Sequence, residues 1–241
     1  MQQWVNKMTS KEVRPTILKD TTLCMIVRDE KMNPAGGIER FAAAHIPHVE
    51  EAVIVDTGSV DGTREILERL ESQYPNLRVL DRPFDGYSNS RNFSLDQSRT
   101  KYNLVLDADE LLTEKSPTND WEDLKEIMEE VDIEMTAFLG LDILADGREH
   151  RYSSCPALRR LFLNERKYRY LGEVWERIPA DFGLFLPIEL KHFRPTLGGS
   201  ENKHSSWDDG ITQHIRQGRA PAQTNDSDSW KEYNFERDKF I

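Results

Sequence analysis

The stretch Leu23-Cys-Met-Ile-Val-Arg-Asp-Glu30 decides the fold, because an unbroken apolar run stops abruptly at three charged residues. A run of this kind predicts a β-strand over 22–27 that is buried on both faces. A second apolar run, 52–55, ends in the same way at Asp56. The polar loop that follows leads into a helical pattern with apolar residues on one face at 66–70. The two runs therefore predict a strand–loop–helix unit beside a first buried strand.

Strand and helix patterns continue to alternate further along the chain. Strands are predicted at 77–80 and 102–106, with a short helix at 90–95 between them. Such alternation favours a mostly parallel sheet with right-handed crossovers. Beyond it, five residues at helical spacing predict one more helix with a core-facing side, namely Trp121, Leu124, Ile127, Met128 and Val131. Further strands are predicted at 135–144, 158–163 and 184–190.

The length of the chain, 241 residues, suits one medium domain, or a domain with a tail. We expect an N-terminal extension at 1–19, a single α/β domain at 20–197 and a polar, partly helical tail at 198–241.

Composition excludes some classes of function. The formal charge is −11 and the isoelectric point about 5.1, which argues against a protein that wraps nucleic acid. An acidic protein that binds phosphates needs a cation or a local basic cluster. We expect no transmembrane segment and no signal peptide, and hence a cytoplasmic location. Cys24 and Cys155 are predicted to be reduced thiols.

Polar residues follow each predicted parallel strand, and ligands of open α/β sheets bind at the carboxyl ends of the strands. Asp107 and Asp109 are separated by one residue and follow the strand at 102–106. Their oxygens suit Mg²⁺ or Mn²⁺, and Asp109 is the first choice for the direct ligand. Alternatively, this stretch only ends a strand and caps a helix. The residues expected to share the crevice are Arg28, Asp29, Asp56, Asp85, Asp107 and Asp109.

Taken together, four motifs resemble the family 2 glycosyltransferases of the GT-A fold. They are Leu23-Cys-Met-Ile-Val-Arg-Asp-Glu30, Ile54-Val-Asp-Thr-Gly-Ser-Val-Asp-Gly-Thr63, Ser90-Arg-Asn92 and Leu106-Asp-Ala-Asp-Glu110. The resemblance implies one Rossmann-like, mostly parallel central sheet flanked by helices, with a smaller antiparallel part on the acceptor side. It also implies a nucleotide-sugar donor, most often a UDP-sugar, a divalent ion, a glycan or other hydroxyl acceptor, and inversion at the anomeric carbon.

The same resemblance implies roles for individual residues in binding the donor. The backbone up to Val27 and Arg28 would line the nucleotide pocket, and Asp56 would bind the base or ribose. Arg91 would face the diphosphate or sugar, Asp107 would contact ribose or sugar hydroxyls, and Asp109 would bind Mn²⁺ or Mg²⁺. Two simpler alternatives stay open: the Asp56 carboxylate caps the backbone amides that follow it, and Arg91 is a surface residue of a helix.

The segment Tyr170-Leu-Gly-Glu-Val-Trp-Glu-Arg177 resembles a family motif of the form Gly-x-Val/Ile-His-Glu, with Trp175 in place of the usual His. We expect Glu176 to be the general base and Glu173 to be the second candidate. The alternative is that both are charged residues beside a buried tryptophan. His192 resembles a family histidine that supplies another metal ligand, although a lone histidine near a strand end is often structural or solvent-facing.

Two other functions are compatible with parts of the sequence. The Asp107-Ala-Asp109 loop also resembles that of haloacid dehalogenase-like phosphatases, in which Asp107 would be the nucleophile and Asp109 the acid/base. Against this, such a loop normally follows the first strand of its sheet, and the Asp56 loop would have no role. The exchange of His for Trp175 would instead suit a non-catalytic module that binds a nucleotide-sugar.

Overall fold

The computed structural model describes residues 15–112, 119–144, 147–151, 158–173, 176–180 and 184–194. Most of the predicted extension, the whole predicted tail, Cys155 and Trp175 lie outside these residues. No helix within the described ranges is long and apolar enough to cross a membrane.

The first half of the sheet is parallel. Its strands lie side by side in the order β3-β2-β1-β4. In chain order they are β1 (Leu18–Val27), β2 (Val49–Asp56), β3 (Leu77–Asp81) and β4 (Tyr102–Val105). Leu23, Cys24 and Met25 on β1 are fully buried, as expected for a strand with a neighbour on each side and helices on its faces. The predicted parallel α/β half is therefore confirmed.

The second half extends the same sheet and mixes strand directions. Its strands are β5 (Glu110–Leu111), β6 (Met135–Leu144), β7 (Glu149–Arg151), β8 (Leu158–Leu163) and β9 (Leu184–Arg194). β8 joins β4 in antiparallel orientation, β6 is antiparallel to β8, and β9 is parallel to β6. β5 and β7 each add an antiparallel pairing, to β9 and β6 respectively. The strands described thus form one mixed, largely parallel curled sheet in the order β3-β2-β1-β4-β8-β6-β9-β5, with β7 beside β6.

The helices cover the sheet with their apolar faces. They are α1 (Ile38–His45), α2 (Thr63–Gln73), α3 (Tyr87–Asp96) and α4 (Asp120–Glu130). In α4, the Asn119 side chain accepts hydrogen bonds from Trp121 N and Glu122 N, which satisfies two amides of the first turn. Trp121 is fully buried, as predicted. The prediction for Val131 was wrong: the helix ends at Glu130, and Val131, in extended backbone, is 43% exposed.

Candidate active site

Strands β1, β2 and β4 run parallel, so their carboxyl ends and the loops that follow meet at one edge of the sheet. Val27 and Asp56, the last residues of β1 and β2, are register partners. Thr57 donates hydrogen bonds from both its N and its Oγ1 to Val27 O, each at 2.9 Å. The two loops therefore begin side by side, as the sequence predicts for the residues that follow these strands.

Asp29 holds the β1 and β2 loops together in a strained conformation. Its φ is 56°, in the left-handed region, which costs a non-glycine residue on the order of 1 kcal/mol or more. Asp29 N donates to Ser59 Oγ at 3.0 Å, and Asp29 Oδ1 accepts from Val60 N at 2.7 Å. The next residue, Glu30, donates from its N to Thr63 Oγ1 at 2.8 Å. These bonds offset the strain and fix both loops before any ligand arrives.

The two oxygens of the Asp56 carboxylate differ in their surroundings. Oδ1 accepts hydrogen bonds from Gly58 N and Ser59 N, each at 2.8 Å, so the capping alternative is correct for this atom. Oδ2 is buried and accepts no hydrogen bond from the described residues. A buried carboxylate oxygen without a donor is costly. Oδ2 is therefore an acceptor available to an N–H or O–H group of a ligand.

Asn33 connects the β1 loop to the turn that carries Asp107 and Asp109. Its Nδ2 donates to Glu30 Oε2 and to Ala108 O, both at 2.9 Å. Its Oδ1 accepts from Ala35 N and Gly37 N, also at 2.9 Å. The sequence prediction missed Asn33, although the Asn33-Pro34 pair is a turn signal that could have drawn attention to it.

Arg91 on α3 joins two of the predicted site residues. Its Nη2 lies 2.7 Å from Asp107 Oδ1, and its Nε donates to Glu176 Oε1 at 2.7 Å. Because Arg91 is only 9% exposed, the surface-residue alternative is wrong. Burial opposes its charge, but Asp107 and Glu176 outweigh burial and raise the pKa of Arg91 well above its ordinary value. Its Nη1 has no hydrogen-bond partner within the described chain, and so the two N–H groups of this nitrogen remain for a ligand.

The backbone of Tyr170, six residues before Glu176, is held beside α3. Asn92 Nδ2 donates to Tyr170 O at 2.9 Å, and Tyr170 N donates to Asn92 Oδ1 at 2.7 Å. The Arg91 guanidinium lies 5.5 Å from the centre of the Tyr170 ring. Glu176 thus meets Arg91 close to Tyr170, although Arg91 and Glu176 are 85 positions apart in sequence.

A second arginine, Arg160 on β8, binds the other oxygen of Asp107. Arg160 Nη2 is 3.3 Å from Asp107 Oδ2 and also pairs with Glu110 Oε1. Burial would raise the pKa of Asp107, but the charges of Arg91 and Arg160 hold it well below its usual range. For Glu110 burial prevails and raises the pKa to about 7, against the charge of Arg160. Arg160 is itself only 9% exposed and so belongs to a largely buried ionic cluster with Asp107 and Glu110.

Asp109 and His192 form a separate group at the rim of this cluster. His192 Nε2 lies 3.5 Å from Asp109 Oδ2, and the two side chains are 24% and 22% exposed. Phe193 N donates to Asp109 O at 2.9 Å, which fixes the turn against β9. A carboxylate and an imidazole nitrogen facing each other fit the donor chemistry of a divalent ion such as Mn²⁺. On the far side of the ring, His192 Nδ1 lies 3.0 Å from Oδ1 of the fully buried Asp142, which the sequence prediction missed.

The other predicted residues are placed differently. Glu173 is exposed, so the structure brings Glu176, and not Glu173, into contact with Arg91. Asp85 pairs with Arg82 in a half-exposed ion pair, with no direct contact to Asp107 or Asp109 recorded among the described residues. Arg28 is partly buried at the start of the β1 loop.

Known glycosyltransferases are similar to this chain in sequence and in fold. The family model described as Glycosyl transferase family 2 matches residues 38–175. The lipopolysaccharide core biosynthesis glycosyltransferase LpsC of Rhizobium meliloti (strain 1021) is 26% identical over 185 residues, which are 71% of this chain and 64% of LpsC. The crystal structure of S. aureus TarS 1-349 in complex with UDP-GlcNAc is similar in fold, with a TM-score of 0.56 and 12% identity. That match covers 73% of this chain and 59% of the TarS chain, so this chain spans less than two thirds of either protein.

Proposed function

The chain belongs to glycosyl transferase family 2, and we propose that it is a metal-dependent, inverting glycosyltransferase. It would transfer a sugar from a nucleotide-sugar, for which we propose a UDP-sugar, to a hydroxyl group of a glycan or other acceptor. The observation that carries the proposal is the buried cluster in which Arg91 holds both Asp107 and Glu176 at 2.7 Å. Of these three residues, Asp107 lies in the same turn as Asp109, which faces His192.

The donor nucleoside would bind at the loops after β1 and β2, which hydrogen bonds of Asp29 join to each other. Asp56 Oδ2 accepts no hydrogen bond from the described residues, and either a pyrimidine N–H or a ribose hydroxyl could donate one to it. The backbone of Val27 and Arg28 would form the neighbouring wall. The similarity in fold to TarS, whose crystal structure contains UDP-GlcNAc, supports UDP as the first nucleotide to test.

Asp109 and His192 would hold Mn²⁺ or Mg²⁺. When bound, the ion would neutralise negative charge on the leaving nucleoside diphosphate. The free Nη1 of Arg91 would donate a hydrogen bond to a diphosphate or sugar oxygen. Asp107 would act mainly by holding Arg91 and Arg160, because each of its oxygens lies against one guanidinium.

Glu176 would be the general base of the transfer. The acceptor oxygen would form a bond to the anomeric carbon from the face opposite the diphosphate, while its proton passes to the Glu176 carboxylate. The bond from the anomeric carbon to the diphosphate oxygen would break, and the diphosphate would leave with the electron pair. Glu173, which is exposed, remains the second candidate for this role.

The haloacid dehalogenase-like alternative is wrong on two grounds. The chain belongs to a different family, and a nucleophilic Asp107 would need a free oxygen. Both of its oxygens instead lie within 3.3 Å of an arginine.

A thermal-shift screen tests the proposal. UDP-, GDP-, dTDP- and CMP-sugars would be added, each with and without Mn²⁺, to the wild type, to Asp109→Ala and to the control Asp85→Ala. We expect one nucleotide to raise the melting temperature in the presence of Mn²⁺, with the effect kept in Asp85→Ala and lost in Asp109→Ala. If no nucleotide shifts the wild type, the donor site is refuted. Donor binding without any release of nucleoside diphosphate would favour the non-catalytic module.

A further inference from the structure

Asp142 is a fully buried carboxylate on β6 that belongs to none of the sequence motifs. In the parallel pairing of β6 with β9, Asp142 and His192 are register partners, so their side chains leave the sheet on the same face. Asp142 Oδ1 lies 3.0 Å from His192 Nδ1. The contact is thus built into the pairing of two long strands.

This contact determines which ring nitrogen of His192 carries the proton. A carboxylate oxygen accepts hydrogen bonds, so the nitrogen that faces Asp142 must be the N–H. In a neutral imidazole the other nitrogen, Nε2, then carries the lone pair. Nε2 faces Asp109 Oδ2 at 3.5 Å, a longer contact than the 3.0 Å between Nδ1 and Asp142 Oδ1, so Asp142 is the acceptor that selects the protonated nitrogen of the neutral ring.

We infer that Asp142 is a positioning residue: it holds His192 in the Nδ1–H tautomer, with the Nε2 lone pair directed toward Asp109 to receive a divalent cation. The inference rests on the metal site of the proposed function and adds to it the residue that prepares one of its ligands. Without Asp142 the ring could adopt either tautomer and rotate about χ2. A carboxylate behind a ligating histidine typically contributes about 10–100-fold to metal affinity.

The burial of Asp142 is a second reason to infer that it orients His192. A carboxylate that is completely removed from solvent costs several kcal/mol unless it is well paired, and an apolar residue would fill the site on β6 more cheaply. Its neighbour in sequence, Leu141, and Phe138 on the same strand are buried apolar residues of the ordinary kind. A role for Asp142 in orienting His192 accounts for this exception.

The first test reads the tautomer in the protein without metal or nucleotide, at a pH high enough for the His192 ring to be neutral. Long-range ¹H–¹⁵N NMR distinguishes the two ring nitrogens, and His192→Gln assigns the signal. We expect the Nδ1–H form in the wild type and in Asp142→Asn, whose amide oxygen can still accept from Nδ1–H. In Asp142→Ala we expect a mixture of tautomers. A wild-type His192 in the Nε2–H form would overturn the inference.

The second test measures Mn²⁺ affinity by the loss of the free-ion EPR signal, with and without UDP. Asp142→Ala should bind Mn²⁺ about 10–100-fold more weakly than the wild type, and Asp142→Asn should recover most of the loss. Thr136→Val is the control. Thr136 lies on β6, as Asp142 does, and the substitution removes its buried hydrogen bond to Leu161 O on β8. It should leave Mn²⁺ affinity unchanged.

The possible failures are distinguishable. If the wild type binds no Mn²⁺, the metal site of the proposed function fails, and with it the purpose inferred for Asp142. If the wild type binds Mn²⁺ and Asp142→Ala binds it equally well, only the role of Asp142 is overturned.

Discussion

Replacing Arg91 with methionine should destabilise the protein far more than removing an arginine from the surface. The guanidinium group contacts Asp107 and Glu176, each at 2.7 Å, and the three side chains are 11%, 30% and 13% exposed. Methionine fills a similar volume without charge, so Asp107 would keep only Arg160, and Glu176 would lose its contact with Arg91. Removing one partner of a fully buried ion pair costs about 3–5 kcal/mol, and because Asp107 is partly exposed and keeps Arg160, we expect the lower end of this range, about 3 kcal/mol, in the free energy of unfolding.

The assay is guanidinium chloride denaturation followed by far-UV circular dichroism. Arg69→Met is the matched control, because Arg69 pairs with Glu39 at 2.6 Å but both side chains are more than 60% exposed. That surface pair should contribute about 0–1 kcal/mol.

A double variant tests the cause of the loss. Adding Glu176→Gln to Arg91→Met removes a charge that the first substitution leaves buried. The double variant should therefore be more stable than Arg91→Met alone by about 0.5–3 kcal/mol. The reasoning is refuted if Arg91→Met behaves like Arg69→Met, or if Glu176→Gln makes Arg91→Met still less stable.

Three further predictions follow from individual contacts. Burial lowers the pKa of His45 from 6.5 to about 3. Between these pH values the ring binds a proton in the unfolded state but stays neutral in the folded state. The free energy of unfolding should therefore fall as the pH drops from 6.5 toward 3, by up to about 1.4 kcal/mol per pH unit. Urea titrations across this range should show a shallower decline in His45→Gln. Asp56→Asn should keep the wild-type melting temperature yet weaken UDP binding about 10–100-fold in calorimetry, because the free acceptor Oδ2 becomes a donor or is lost. Asn33→Ala should lose about 1–3 kcal/mol in chemical denaturation, because Ala108 O and Glu30 lose a buried donor; an unchanged midpoint would refute its linking role.

The parallel half of the fold was predictable because its signal is local. Buried strands read as unbroken apolar runs, and the run at 22–27 identified β1 without knowledge of its neighbours. β6 and β8 were predicted with the bounds that the structure has, Met135–Leu144 and Leu158–Leu163. By contrast, β5 has only two residues, and its pairing with β9 links positions about 80 residues apart. No local pattern reports such a pairing.

The candidate site was predictable where residues follow strands, and less so where they face one another across the sheet. Asp107 and Asp109 follow β4, as predicted. The sequence could not separate capping from ligand binding at Asp56, because only the structure shows that Oδ1 caps backbone amides while Oδ2 accepts no hydrogen bond from the described residues. His192 was expected after its strand and in fact lies inside β9, which extends to Arg194. Asp142 sits in an apolar strand pattern, and only the register of β6 with β9 reveals that it faces His192.

In the proposed active site, Asp109 binds a divalent ion, and the ion holds the nucleoside diphosphate. The most direct test of this arrangement is a calorimetric titration of UDP into the wild type and Asp109→Ala, each with Mn²⁺ and with a chelator. We expect UDP to bind the wild type with Mn²⁺, and affinity to be at least about tenfold lower in the other three titrations, because the diphosphate loses a charge-assisted contact. Equal affinity in all four titrations would contradict metal-dependent binding of UDP through Asp109.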